Sequence, residues 1–172
     1  MMSAHLQRAC EWWIRYLLTD PRYVIDPKSA QKPTVRLWTG ASGVSRWLCA
    51  VIQTRLGWWW SSMQLPQEVW DQLLDREDHQ IQYQEFLAIA MAFETFGVAE
   101  AMVLGFVDNN SVLSAIPKGS SRNPEVSLGI VKLWQTFEAN NIAWFGIRVA
   151  SKSNVADGPS RNEFSYMDRL QV

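Results

Sequence analysis

Three carboxylates in this 172-residue sequence stand where their neighbours give them chemistry to do. Asp108 follows the apolar run 102–107. Such a run reads as a strand covered on both sides, and its carboxyl end is where open α/β sheets place their sites. Glu85 heads the stripe Glu85, Ala88, Ile89, Ala92, Phe93 and Phe96, whose helical spacing leaves one acid on an otherwise apolar face. Asp157 lies in Ala156-Asp157-Gly158-Pro159, a turn after the last apolar run. Carboxylates gathered away from water repel one another unless a proton or a cation compensates. Oxygen donors without His or Cys select hard ions, Mg²⁺ or Mn²⁺. Two such ions held close together activate a water and stabilise the leaving oxygen in phosphodiester cleavage. Each acid also has a plainer reading. Asp108, followed by Asn109 and Asn110, could cap a helix. Glu85 could answer a helix dipole, and Asp157 could serve its turn alone.

The elements that would position these acids follow from periodicity. Residues 4–20 read as a helix, ended by Asp20-Pro21. A loop leads to an alternating strand, 35–39, and Gly40-Ala41-Ser42-Gly43 reads as a tight turn. Two further strands, 47–54 and 56–61, are linked so closely that the three can only form an antiparallel meander. A short helix is expected over 66–74, a solvated loop over 75–78 and the Glu85 helix over 82–96. After the strand 102–107 come a helix over 112–116 capped by Asp108-Asn109-Asn110 and a polar loop. A helix opened by Pro124, a strand over 142–149 and a polar closing segment complete the chain. Strands joined through helices run parallel with right-handed crossovers. The expected fold is α/β, a mixed five-stranded sheet of three antiparallel strands and two parallel ones, with helices on both faces.

Composition removes several alternatives. A formal net charge of −1 gives no whole-molecule basic field, so any nucleic-acid contact has to come from a local patch. Cys10 and Cys49 are far apart, and His5 and His79 are the only histidines, so no zinc site is expected. That cysteine usage fits a reducing compartment, the cytoplasm or nucleus. No apolar run is long enough to span a bilayer and no signal peptide is recognisable, so no membrane partner is expected. The ten tryptophans read as core and core-edge residues rather than as a base-stacking platform.

Taken together, the phrases "LWTGAS", "QIQYQEFLAIAMAFETF", "VLGFVDNNSVLSAIPKG" and "IRVASKSNVADGPSR" resemble the RNase H-like domain of retroelement reverse transcriptases, particularly the tyrosine-recombinase group and its relatives. The resemblance runs from about residue 5 to 162. It implies a helical connecting segment over 1–33, an RNase H-like domain over 34–162 and a tail over 163–172. It implies an RNA–DNA hybrid as substrate, a polymerase portion as partner, and two Mg²⁺ (or Mn²⁺) ions held by four acids. Glu85, Asp108 and Asp157 match three of the four as catalytic and metal-binding residues. The fourth departs: the family phrase threonine-aspartate-alanine-serine reads here Thr39-Gly40-Ala41-Ser42. The missing aspartate is the one that touches both ions in the family, so severely reduced or absent hydrolysis is expected and any ion would be held more weakly. A non-catalytic binding or tether domain, or a decayed retroelement fragment, are the rival readings. Lys118, Arg122, Arg148, Lys152 and Arg161 are expected to track phosphates, with Ser42, Asn109 and Asn110 as hydrogen-bonding contacts.

Overall fold

Alternation along Thr34–Ala41 (β1) sends Val35, Leu37 and Thr39 to a buried face and Arg36 and Trp38 to the other. β1 pairs antiparallel with Trp47–Thr54 (β2), which pairs antiparallel with Gly57–Gln64 (β3). On its other side β1 pairs parallel with Met102–Val107 (β4), and β4 pairs parallel with Ala143–Arg148 (β5). The sheet order is therefore β3-β2-β1-β4-β5, a mixed five-stranded sheet of the RNase H type. The computed structural model describes residues 4–18, 32–74, 80–165 and 167; the loop expected over 75–78, with His79, lies outside these.

The chain divides into two units, Met1–Lys32 and Pro33–Val172. The first contributes the helix Ala4–Leu18 (α1), on which Trp13, Ile14 and Leu18 are exposed. The second carries the sheet. One face is covered by Gln80–Phe96 (α3), Asn110–Lys118 (α4) and Pro124–Ala139 (α5). Phe86, Ile89 and Phe93 of α3 meet Val112 and Ile116 of α4, Ile130 and Phe137 of α5, and Leu37, Val103 and Val107 of the sheet. Gln67–Leu74 (α2) adds Trp70 and Leu73 to a second cluster with Leu48 and Ala88. Among the described residues of this unit, the opposite face carries the four-residue helix Asp157–Ser160 (α6) and the chain around it. Val155, Ala156, Phe164 and Met167 pack there on Cys49, Val51 and Trp60. Helices on both faces is thus correct in kind, but the two layers are very unequal. The stretch beyond 162, read as a tail, supplies two of the residues of that thinner layer.

Three boundaries differ from the sequence reading in ways that bear on function. β1 does not stop at Thr39: Gly40 and Ala41 stay in the ladder, opposite Cys49 and Leu48, so Gly40 is a strand residue and not part of a turn. β3 extends to Gln64 because each of its residues finds a partner in β2, whatever the propensity of Ser62, Met63 and Gln64. α4 is longer than 112–116, and Asn109 alone caps it, its side chain accepting from the amides of Ser111 and Val112 at 3.0 and 3.1 Å. Asp108 is left out of the cap. Its carboxylate is turned instead to the Glu85 carboxyl.

Candidate active site

The carboxyl end of β4, the first turns of α3 and the closing segment converge on a cleft of about 310 Å³. It is lined by Ser42, Glu85, Asp108, Asn109, Asp157 and Arg161, with Ala41, Gly43, Val44 and Ile81 completing the walls. The three acids singled out in the sequence are therefore brought together. Their situations differ sharply.

Glu85 is 4% exposed. Its Oε1 accepts from the Ala41 amide at 3.3 Å, and the carboxyl shares a side-chain hydrogen bond with Asp108. Burial first, then the charge of Asp108, push its carboxyl up to about 8; the Ala41 amide opposes them and Asp157 adds to the rise. Asp108 is half-buried at the end of β4. Asp157 is not free. Its Oδ1 and Oδ2 accept from Arg161 Nε at 3.2 Å, and Oδ1 accepts again from Nη2 at 3.0 Å. This pairing, an i,i+4 contact on one short helical turn, is the feature of the site that the sequence reading missed.

Gly40 sits where the strand meets the closing segment most closely. A Cβ placed there would stand 2.9 Å from the Ala156 carbonyl oxygen and 3.1 Å from its carbon, closer than real side chains come to backbone. The closing segment is pinned in that position. Asn154 Nδ2 donates to the Thr39 carbonyl at 2.8 Å, and Asn154 Oδ1 accepts from the Ala156 amide at 3.1 Å. Ser45 Oγ adds a bond to the Ser160 carbonyl at 2.6 Å. Asn154 is itself buried. Its replacement by alanine leaves a buried carbonyl and amide without partners, and we expect a loss of about 1–3 kcal/mol, read as a lower denaturant midpoint.

The donor set suits a hard cation by kind, since every candidate ligand is oxygen. By arrangement it does not suit two. The strand offers no side-chain ligand at Gly40, the space a side chain would use is taken by Ala156, and both Asp157 oxygens are engaged by Arg161. Among the described residues no three His, Cys, Asp or Glu side chains are grouped so that they could share one ion.

The expected nucleic-acid contacts divide. Arg161, Ser42 and Asn109 line the cleft, but Ser42 is buried and accepts from the Val44 amide at 3.3 Å, and the Asn109 Oδ1 is taken by the α4 cap. Asn110, Lys118, Arg122, Arg148 and Lys152 are exposed and outside the lining. Arg148 ends β5 beside Val107, on the edge of the sheet that bears Asp108. Lys118 sits at the far end of α4, roughly 12 Å along the axis from the site end. A polar loop following a helix gives no hint of that offset.

Comparison with known proteins agrees with the fold. No known family's sequence profile matches the chain, and no curated protein does. Among solved structures, an RNase H1 called LC11, crystallised in complex with RNA/DNA hybrid, is similar with a TM-score of 0.51 at 13% identity, over 72% of this chain and 89% of that one. A second structure of LC11-RNase H1, isolated from compost by a metagenomic approach, gives 0.51 at 11% identity over 79% and 97%.

Proposed function

We propose that this chain is the RNase H-type domain of a retroelement reverse transcriptase that binds RNA–DNA hybrid and has lost most or all of its hydrolysis. The observation that carries this reading is Gly40: the bridging acid is absent and its space is closed by the Ala156 carbonyl. What remains is chemically unequal. Asp108 is half-buried and hydrogen-bonded to the buried Glu85, and Asp157 is bound to Arg161. Ions bound by a complete set of acids would activate water and neutralise the leaving oxygen. Here Asp157 orients a guanidinium instead, and Glu85 holds the Ala41 amide at the base of the cleft. Support for the hybrid as ligand comes from the likeness to an enzyme crystallised with RNA/DNA hybrid and from the phrases shared with retroelement domains. A polymerase portion of the same element is the expected protein partner, and the cytoplasm or nucleus the expected compartment.

Cleavage of an end-labelled RNA–DNA hybrid in Mg²⁺ or Mn²⁺ tests the lost chemistry, with binding measured in parallel at two salt concentrations. The expected result is salt-sensitive binding without turnover. Multiple-turnover cleavage overturns the impaired-site account, and absence of binding overturns the hybrid as ligand. A second expectation concerns the ion. Because a ligand stabilises only as far as it exceeds its dissociation constant, the melting temperature in millimolar Mg²⁺ should match that in chelator to within about 1 °C. A clear rise with Mg²⁺ would show an ion held tightly despite Gly40.

A further inference from the structure

Among the described residues Arg161 is the one cation lining the cleft, and neither acid chemistry nor a pair of ions explains it. Resting on the hybrid-binding reading above, we propose that Arg161, held in place by Asp157, is the phosphate-binding group of this cleft and takes a nucleic-acid backbone phosphate without any divalent ion.

Geometry supports this in two ways. First, Asp157 engages Nε and Nη2, so the guanidinium plane is fixed while its Nη1 hydrogens have no partner among the described residues. A planar fork pre-set in this way matches the oxygens of a phosphate better than a flexible ammonium does. Second, the side chain is 54% exposed at the cleft, open to an anion as large as a nucleic-acid strand. The Arg161–Asp157 pair is neutral as a unit and Asp108 shares the lining, so the directed Nη1 hydrogens, rather than any net positive charge of the cleft, are what hold a phosphate.

A rival role for Arg161 is to hold Asp157 and nothing more. The two are separable, because an exposed i,i+4 pair contributes little to folding. Fluorescence anisotropy of a labelled RNA–DNA hybrid, with the full chain, in EDTA and in Mg²⁺ and over a salt series, supplies the test. We expect the same affinity in both buffers to within about twofold. Arg161→Ala should bind several-fold more weakly, equally for unrelated sequences, with a salt slope shallower by about one. Arg161→Lys should keep the slope and lose part of the affinity, because the charge remains and the fork does not. Unchanged melting of both variants would confirm that they are folded. If Arg161→Ala binds as tightly and with the same slope, or if binding needs Mg²⁺, the proposal is overturned while the hybrid reading stands. If the unaltered chain binds no hybrid, both fall.

Discussion

Gly40→Ala is expected to lower the melting temperature by roughly 2–8 °C, and Gly40→Asp by more. The added Cβ would lie 2.9 Å from the Ala156 carbonyl oxygen, and that oxygen cannot retreat cheaply. It already accepts from the Ser160 amide at 3.2 Å, and Ala156 is buried on Cys49, Val51 and Met167. Overpacking of this kind costs about 1–3 kcal/mol. The smaller conformational freedom of alanine in the unfolded chain offsets about 0.4–1 kcal/mol of that. A net loss of about 1–2 kcal/mol corresponds to the stated shift for a protein of this size. Aspartate meets the same obstacle and adds a carboxylate beside Asp108 and Asp157, so in chelator it should melt below the alanine variant. Because Asp157 stays bound to Arg161 in either variant, Gly40→Asp should not by itself restore efficient hydrolysis. Differential scanning calorimetry and the hybrid-cleavage assay, run on both variants, read the two halves of this expectation. An undiminished melting temperature together with rapid cleavage by Gly40→Asp would show that the closing segment yields easily, and that glycine is a simple loss without structural accommodation.

That contact also marks the limit of what the sequence could reveal. The acids themselves were legible. Glu85 stands at the head of an apolar stripe, which announces burial, and Asp108 ends a run of six apolar residues that could only be an inner strand. Local chemistry misled where long-range pairing decided. Gly40-Ala41-Ser42-Gly43 has the composition of a turn, yet the first two residues are held in the ladder by Cys49 and Leu48. Asp108, Asn109 and Asn110 are all competent caps, and only the chain's path selects Asn109. Asp157 and Arg161 have the spacing of an ion pair, but in a segment containing Gly158 and Pro159 no helix was expected to bring them together. The bond from Asn154 to Thr39 joins residues 115 positions apart, and nothing local to either encodes it.

Glu85 gives the largest effect expected of any single group. Its carboxyl is ionised only above about 8 in the folded chain, against an ordinary value of 4.5 when unfolded. Between those values the folded protein keeps a proton that the unfolded chain has released. The sign follows directly: stability is greatest below about 4.5, declines as pH rises, and levels off above about 8. The slope can reach about 1.4 kcal/mol per pH unit in that window, so the total is of the order of several kcal/mol, a large share of a domain's stability. Cys49, pushed up to about 12 by its burial, titrates outside the window and does not confuse the measurement. Glu85→Gln keeps an oxygen for the Ala41 amide at 3.3 Å but has no proton to lose. In chelator, urea melts from pH 4.5 to 8.5 should therefore show a falling midpoint for the unaltered chain and a much flatter one for Glu85→Gln. The variant should be the more stable of the two at the alkaline end. Parallel curves would mean that Glu85 is ionised at neutral pH, and that water or an ion reaches its buried oxygen. If millimolar Mg²⁺ flattens the curve of the unaltered chain, a cation has entered the cleft and taken the proton's place, since either one can compensate a buried carboxylate.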